Sequence, residues 1–229
     1  MNKIIKAIGA AAAVGLAPFV ASAQLEILDE VEGEVFFAFE SEYSFRGVKL
    51  AGPSVQPGFE LSLMGLYGGV WHSTDIKDGG EVETDYYVGL DYDVEDLVNI
   101  DLGVTFYTFP EDEDTTEIFL GFAPLADVII DPALYLYYDF DLEDFTVELQ
   151  LGHGIDLGEG FGLDLGVDLG YVFADDSDDD YFYYVGMADI VYNLSDTTTF
   201  SVGGRVAGND NDVLPDNQLW WGAALTTSF

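Results

Sequence analysis

The stretch that decides the fold is FGLDLGVDLGY, residues 161–171, in which odd positions are apolar or aromatic and even positions are Gly or Asp. This period of two is typical of a β-strand with one apolar face, because successive side chains point to opposite sides. Residues 98–106, VNIDLGVTF, alternate in the same way with apolar residues at even positions. Segments 145–151 and 200–206 repeat the pattern. The chain is therefore predicted to be built of amphipathic strands.

Applied to the whole chain, the alternation predicts twelve strands, most of them about ten to thirteen residues long. Such strands, tilted near 40°, span about 25–30 Å, the apolar height of an outer-membrane barrel, whereas soluble sandwich strands are nearer five or six residues. The even number agrees with bacterial single-chain barrels. The predicted fold class is all-β, a transmembrane antiparallel up-and-down β-barrel with strands at 33–45, 54–63, 66–75, 82–92, 98–109, 115–123, 132–140, 144–154, 161–173, 180–193, 197–207 and 217–229.

The composition is acidic and apolar at once. The 229 residues include 44 Asp and Glu against 6 Lys and Arg, a formal charge of −38, yet 49% are hydrophobic and 15% aromatic. A disordered acidic chain does not carry so many apolar residues. A nucleic-acid binder is excluded because it needs clustered Lys and Arg. The absence of cysteine excludes disulfides, thiol nucleophiles and Cys-based metal sites.

Residues 1–23 predict a secretory signal peptide. Lys3 and Lys6 precede a short apolar run, and Ala21-Ser22-Ala23 forms a small-x-small cleavage site. The run is too short and too rich in Ala and Gly to favour a transmembrane anchor. We therefore expect export through the Sec pathway, cleavage after Ala23, and a barrel formed by residues 24–229.

The two ends of the predicted barrel differ, because one set of links is mostly short and the other is longer or more acidic. Outer-membrane barrels divide their periplasmic turns from their extracellular loops in this way. The final strand ends at Phe229, and a terminal aromatic on an apolar stripe resembles the assembly signal of such barrels. We expect this strand to engage the barrel-assembly machinery, and the barrel to lie in the outer membrane among lipid and lipopolysaccharide.

Residues 41–73 carry three motifs in succession: YSFRG at 43–47, PSVQ at 53–56 and GLYGGVWHS at 65–73. The succession resembles that of the TorF-like porins, an uncharacterised family of Gram-negative outer-membrane barrels. The resemblance is specific over these residues and elsewhere rests on size, barrel pattern and the terminal Phe. The extreme acidity and Pro57, where glycine is commoner, depart from the family. The resemblance implies an outer-membrane pore without naming a solute.

Directing the apolar stripes toward lipid places acidic side chains in the lumen against only Arg46 and Arg205. Two arginines cannot neutralise so many acids, so the lumen is expected to hold water or cations. The phase is ambiguous in strands 66–75 and 180–193, where both faces hold aromatics. The predicted inward acids are Glu34, Glu40, Glu42, Glu60, Glu83, Asp85, Asp91, Asp101, Glu117, Asp139, Glu148, Asp164, Asp168 and Asp189.

A twelve-stranded barrel with strands about 4.8 Å apart has a backbone radius of about 12 Å. Small inward residues are expected to leave further space: Gly103, Gly162, Gly166, Gly170, Gly203, Gly222 and Ala224. Acidic rings in a narrow lumen concentrate cations. We therefore expect a porin-like channel that passes cations or small neutral or cationic solutes. The alternative is a non-conducting barrel whose acidic loops bind divalent cations or partners.

Arg46 has two interpretations. It can form a constriction near the outer mouth, or it can pair with an acidic neighbour such as Glu42, and the two are compatible. In the loops, hard oxygen ligands that suit Ca²⁺ or Mg²⁺ cluster in a run that lacks the EF-hand spacing. These loop candidates are Asp175, Asp176, Asp178, Asp179 and Asp180; no other metal or cofactor is expected.

No enzyme is expected. The sequence contains two histidines, and His72 cannot form a dyad with Ser73, because adjacent strand residues face opposite sides; His153 has no Ser in phase beside it. The abundant aromatics near strand ends predict girdles at the two membrane interfaces. The predicted girdle residues are Tyr86, Tyr87, Tyr92, Phe106, Tyr107, Tyr135, Tyr137, Tyr138, Tyr181, Phe182, Tyr183, Tyr184, Tyr192, Trp220 and Trp221. A sugar-stacking path inside the lumen is the alternative, with Tyr135, Tyr137 and Trp220 as its inward candidates.

Overall fold

The computed structural model describes residues 31–77, 82–95, 97–110, 112–126, 129–175, 179–215 and 218–229. The predicted signal peptide, residues 1–23, lies outside the described residues. Nowhere in these described ranges is there a helix of the length and apolar character that crossing a bilayer requires.

Twelve strands form one closed antiparallel barrel, and two shorter strands form a separate hairpin between the first two barrel strands. The predicted all-β up-and-down barrel is confirmed. The barrel strands are β1 (Glu32–Glu40), β4 (Ser54–Leu63), β5 (Leu66–Asp75), β6 (Val82–Val94), β7 (Val98–Thr108), β8 (Thr115–Pro124), β9 (Asp131–Asp139), β10 (Phe145–Gly158), β11 (Phe161–Phe173), β12 (Tyr181–Asn193), β13 (Thr198–Asn209) and β14 (Gln218–Ser228), and the hairpin strands are β2 (Tyr43–Phe45) and β3 (Val48–Ala51).

The first and last strands close the barrel. β1 pairs with β14 from Glu34 opposite Ser228 to Glu40 opposite Gly222. Beyond this ladder, Gly33 and Phe229 exchange two backbone hydrogen bonds of 2.9 Å each. Because every strand edge is paired, the described barrel offers no open edge to another chain.

The barrel has a turn end and a loop end. The turn end carries the links β4–β5, β6–β7, β8–β9, β10–β11 and β12–β13, and the loop end carries the other links between barrel strands. Two turn-end links are two-residue turns, Met64-Gly65 and Glu159-Gly160, with positive φ at both positions. Such type I′ turns match the right-handed twist of the strands they join.

The two faces of the barrel reverse the arrangement of a soluble protein. Along β6, for example, Glu83, Asp85 and Tyr87 are buried while Tyr86 and Val88 are 49% and 44% exposed. The same alternation of exposed apolar and buried polar side chains recurs around the barrel. An apolar outer surface this extensive needs lipid to cover it, and a polar interior is the complement found in membrane barrels.

The predicted first strand, 33–45, is too long. β1 ends at Glu40, and the chain then leaves the barrel wall and forms the lumen hairpin, β2 and β3 with their turn, residues 43–51. Arg46 and Gly47 both have positive φ, 45° and 75°, so the hairpin reverses direction through the same kind of two-residue turn that is found at the turn end. The alternation of residues 43–45 belongs to this hairpin and continues no barrel strand.

Candidate functional site: the acidic lumen and its hairpin

Carboxylates line the inside of the barrel. Eleven of the predicted inward acids are buried, with 1–9% of their surface exposed. Glu34 and Asp91 are half-buried, and Asp75 adds a further buried acid at the end of β5, a strand whose phase the sequence left ambiguous. The eleven are Glu40, Glu60, Glu83, Asp85, Asp101, Glu117, Asp139, Glu148, Asp164, Asp168 and Asp189.

Glu42 corrects the predicted set. Because β1 ends at Glu40, Glu42 lies in the connection to the lumen hairpin and not on the inner face of a barrel strand. It is half-buried, and its Oε1 lies 3.0 Å from Nζ of Lys49. The proposed pairing of Arg46 with Glu42 is therefore replaced by a pair between Glu42 and Lys49.

Arg205 on β13 holds two acids, Asp189 on the adjacent strand β12 and Glu40 on β1, two strands away on the other side. Its Nη1 donates to Oδ1 of Asp189 at 2.6 Å, and its Nη2 lies 3.5 Å from Oε1 of Glu40. The indole Nε1 of Trp220 donates to the other oxygen of Glu40 at 2.8 Å. This group spans β12, β13, β14 and β1 and joins the closing strands from inside.

Arg46 holds a third acid from the tip of the lumen hairpin. Its Nη1 and Nη2 donate to Oε2 and Oε1 of Glu117 at 2.7 and 3.0 Å. The guanidinium carbon lies 4.6 Å from the ring centroid of Tyr137, within cation–π range. Burial lowers the pKa of Arg46, Glu117 raises it, and the net pKa lies well above its ordinary value, so the side chain stays charged.

Tyrosine hydroxyls donate to the lumen acids. Asp101 accepts from Tyr67 at 2.7 Å and from Tyr135 at 3.1 Å. Glu117 accepts from Tyr107 at 3.0 Å, and Tyr183 donates a short hydrogen bond to Glu148. These hydrogen bonds orient the carboxyl groups and bring no positive charge to them.

The inward aromatics correct the girdle interpretation for part of the set. Tyr87, Tyr107, Tyr183 and Trp220 are 0–9% exposed and point into the barrel. Tyr86, Phe106, Tyr92 and Trp221 lie on the outer face, as girdle residues would. Of the residues predicted to stack on sugars, Tyr135 and Tyr137 stack on each other, with ring centroids 5.7 Å apart and planes inclined by 17°. Stacking on a sugar stays a prediction.

Three of the inward glycines, Gly103, Gly170 and Gly222, do not leave the open space expected of them. A Cβ at Gly103 would collide with the ring of Phe119, and one at Gly170 would collide with the ring of Tyr183. At Gly222 the obstacle is the carboxylate of Glu40. Each glycine instead makes room for a large side chain that lies flat across the inner wall. The lumen is therefore narrower than the count of small residues suggests.

The lumen hairpin lies inside the loop end of the barrel. At its base, Tyr43 and Ala51 pack with Trp71 in an apolar cluster, with the Tyr43 and Trp71 rings 5.5 Å apart. The Tyr43 hydroxyl donates to Oε2 of Glu83 at 2.8 Å. Burial, and then the charge of Glu83, raise the pKa of Tyr43 well above its usual range, so it remains a neutral donor.

The turn of the hairpin reaches the opposite wall. The Gly47 carbonyl accepts a hydrogen bond of 2.9 Å from Nδ2 of Asn209 on β13. A Cβ at Gly47 would lie 2.5 Å from the carbonyl oxygen of Gly208 and 2.7 Å from Cβ of Tyr183. Only glycine fits at this close approach and this φ. The hairpin thus crosses the lumen and narrows it.

The YSFRG motif is explained by these contacts. Tyr43, Phe45, Arg46 and Gly47 each meet a residue of the barrel wall; Phe45 packs on Tyr107 with ring centroids 6.2 Å apart. From sequence, the start of this motif is assigned to the first strand, 33–45, and the residues directly after that strand to a loop. The Arg-Gly pair between two short apolar runs is the signal that predicts a hairpin there.

The binding of Ca²⁺ or Mg²⁺ by the acidic loop stays a prediction. In the described ranges no group of three or more His, Asp or Glu is arranged to hold a metal ion. Asp180 accepts the backbone N–H of Ala174 at 2.8 Å, and the N–H of Asp175 donates to Asp144 at 3.2 Å. Asp179 is described; the candidates Asp176 and Asp178 lie outside the described residues.

His72 and its neighbour Ser73 lie on opposite faces of β5. His72 lies on the outer face, where Nδ1 is 2.8 Å from Oγ1 of Thr84 and Nε2 is 2.6 Å from Oγ1 of Thr74. Ser73 is buried on the inner face at 1% exposure. The two side chains therefore point to opposite sides of the wall.

Part of the chain matches a known family. Residues 31–133 match a family described as a bacterial protein of unknown function (Gcw_chp). The matched range contains the lumen hairpin and all three motifs of residues 41–73, and the TorF-like relationship remains a prediction. No curated protein matches the sequence.

Solved structures share the fold. The KdgM porin is 10% identical with a TM-score of 0.61 over 86% of this chain and 99% of that chain, and a second structure of it is a complex with disordered oligogalacturonate. An outer-membrane channel from Pseudomonas putida F1 is 10% identical, TM-score 0.52, over 87% and 95%. LpxR from Salmonella typhimurium is 9% identical, TM-score 0.52, over 86% and 99%. The chain has the fold of porin-like outer-membrane barrels.

Proposed function

We propose that this protein is an outer-membrane porin-like diffusion channel whose acidic lumen passes cations or small neutral or cationic solutes. The observation that carries the proposal is the imbalance inside the barrel. In the described part of the barrel, twelve buried acids (the eleven predicted ones and Asp75) face two arginines, and those arginines pair with Glu117, Asp189 and Glu40. Carboxylates left without a cation stay ionised only if water or mobile cations reach them.

The remaining acids create a field that sorts solutes by charge. Asp101, Asp164 and Asp168 are buried on the inner wall. A low-dielectric channel lined by one sign of charge attracts counter-ions and repels co-ions. A polyanion such as the oligogalacturonate of the KdgM complex is therefore a poor solute for this lumen.

The export route and assembly partners belong to the same proposal. Cleavage after Ala23 and engagement of the C-terminal strand by the barrel-assembly machinery would deliver the chain to the outer membrane. The pairing of Gly33 with Phe229 supports the second step, because the last residue takes part in closing the barrel. Lipid and lipopolysaccharide would cover the apolar outer face.

A channel fits this site better than an enzyme, although the fold alone does not decide between activities. Catalysis in such a barrel would require a nucleophile or metal activated by a neighbouring base. In the described ranges the one histidine beside a serine, His72, faces away from it, and no metal-ligating group is formed.

One observation favours the alternative of a non-conducting barrel. The lumen hairpin crosses the loop end, with Arg46 bonded to Glu117 on β8 and Gly47 bonded to Asn209 on the opposite wall. If it closes the lumen fully, the protein would act through its loops, with divalent cations or partners bound at the acidic run of residues 175–180.

Recording currents from the purified full chain in planar bilayers separates the two functions. A channel gives unitary conductance steps, and in a KCl gradient the reversal potential lies on the side set by K⁺. A barrel without conductance steps would exclude the channel, and a reversal potential set by Cl⁻ would exclude the cation preference.

A further inference from the structure

The Arg46 guanidinium occupies a site built by the barrel wall. Glu117 supplies two acceptors in one plane at 2.7 and 3.0 Å, and the ring of Tyr137 lies 4.6 Å from the guanidinium carbon. Tyr107 fixes the acceptor by donating to Oε1 of Glu117 at 3.0 Å. The three wall residues therefore recognise a planar cation with paired donors.

The hairpin that delivers Arg46 is anchored unevenly. Its base is held by apolar packing of Tyr43 and Ala51 on Trp71. Its tip is held by polar contacts, the Arg46–Glu117 pair and the Asn209–Gly47 hydrogen bond. Arg46 and Gly47 are the two residues of the hairpin turn, and a φ of 45° at Arg46 is the geometry of that turn. The tip is thus the part of the hairpin that can be exchanged.

Departure of Arg46 from Glu117 without a replacement cation is unfavourable. The Glu117 side chain is 3% exposed, so withdrawal of the guanidinium would strand a buried carboxylate. The site needs a cation at all times. A solute that brings the same group removes that penalty, because it restores the ion pair as the tip departs.

We propose that Glu117, Tyr107 and Tyr137 form a binding site for the guanidinium group of a solute, and that Arg46 fills this site until the solute displaces it. The proposal rests on the proposed function, since the solute reaches Glu117 through the lumen. It deepens that function by naming guanidinium compounds as the preferred cations. Displacement releases the hairpin tip from β8 and widens the loop end.

The chemistry of the site favours guanidinium over other cations. Two carboxylate oxygens in a plane match the fork of a guanidinium, which an ammonium group cannot reproduce. The Tyr137 ring stacks well on a planar, weakly hydrated cation. A divalent metal would need six or more oxygen ligands. The carboxylate in contact with the Arg46 guanidinium, that of Glu117, supplies two.

The test empties the site and refills it with a small probe. The variant Arg46→Asn removes the guanidinium while keeping a residue that tolerates positive φ. Methylguanidinium is added to the folded full chain in detergent, and methylammonium at equal concentration is the control cation. We expect methylguanidinium to raise the unfolding temperature of Arg46→Asn by about 3 °C at tenfold excess over its dissociation constant, and the shift to grow with the logarithm of the concentration above that.

A double variant assigns the effect to the site. Arg46→Asn with Glu117→Gln keeps the empty space and loses the acceptor charge, so the shift should disappear. Arg46→Lys serves as a second variant if Arg46→Asn does not fold, and its tip should also yield to methylguanidinium. An equal response of the variants with and without Glu117, or equal responses to the two cations, overturns the proposal.

Bilayer currents keep this proposal separate from the channel itself. In Arg46→Asn, methylguanidinium should reduce the K⁺ current over the same concentration range as the thermal shift, and it should not do so in the double variant. If no form conducts, the channel fails while the binding comparison still stands. If all forms conduct and none responds through Glu117, the guanidinium site fails and the channel stands.

Discussion

Arg46 and Glu117, 71 positions apart in the chain, form a two-hydrogen-bond ion pair that joins the tip of the lumen hairpin to β8. Because the side chains are 13% and 3% exposed, the pair is shielded from bulk solvent. It fixes the position of a segment that would otherwise hang free in the loop end. The pair is therefore both a structural tie and a local cancellation of lumen charge.

Removing one partner of this ion pair should lower the free energy of unfolding more than removing both partners. Arg46→Asn leaves Glu117 buried and unpaired and is expected to lower the free energy of unfolding by about 3 kcal/mol. Adding Glu117→Gln should recover more than half of that loss. Denaturant unfolding in detergent, followed by the heat-modifiable migration of barrels on gels, measures both; additive losses would contradict the coupling.

Lumen acids should set the ion selectivity. Changing Asp101, Asp164 and Asp168 together to Asn is expected to reduce the K⁺ over Cl⁻ preference several-fold, because these three acids are buried on the inner wall and their charges act on ions in the lumen. The measurement is the reversal potential in a KCl gradient. The matched control removes the same charge from exposed loop acids, Asp112, Glu113 and Glu143, and should leave selectivity nearly unchanged. An equal effect of both triple variants would contradict the assignment.

Two adjacent glycines on β13 should respond in opposite ways. A Cβ at Gly203 would strike the backbone carbonyl of Ala188, whereas nothing lies within 4 Å of a Cβ at Gly204. Gly203→Ala is expected to prevent assembly or lower the unfolding temperature by more than 5 °C, by roughly the cost of overpacking. Gly204→Ala should be neutral or slightly stabilising. Normal assembly of Gly203→Ala would show that the strand spacing is not as described.

The docked hairpin can be detected by a single thiol, because the chain has no native cysteine. Ser44 is 6% exposed within the lumen hairpin, so Ser44→Cys should react slowly with a bulky maleimide. Leu142 lies in the β9–β10 loop and is 56% exposed, so Leu142→Cys should react at the rate of a free thiol. Combining Ser44→Cys with Arg46→Asn should accelerate labelling. Equal rates for Ser44→Cys and Leu142→Cys would place the hairpin outside the lumen.

The barrel was predictable from sequence, because alternation in segments such as 161–171 depends on the two faces of single strands. Burial of Asp164 and Asp168 follows directly from that phase. The lumen hairpin was missed because Tyr43 and Phe45 continue the apparent alternation of β1, and nothing local shows that the chain bends inward. The clue was the Arg-Gly turn, since Met64-Gly65 and Glu159-Gly160 end strands in the same way.

The interior packing was predicted less well for a different reason. Whether Gly103 leaves a gap depends on the ring that lies over it, Phe119 on the neighbouring strand. Register between strands decides such contacts, and the sequence of one strand carries no record of it. Likewise, depth along the barrel placed Tyr87 and Tyr107 among girdle residues, although their phase directs them inward.

The reach of the hairpin has a consequence for the order of folding. Gly47 near the start of the chain accepts a hydrogen bond from Asn209, 162 positions later, and sits against Tyr183. Those partners come together only when β12 and β13 are in place beside the rest of the wall. The turn of the hairpin can therefore make these contacts only after the two strands have joined the wall, so docking of this early segment waits for a late part of the chain.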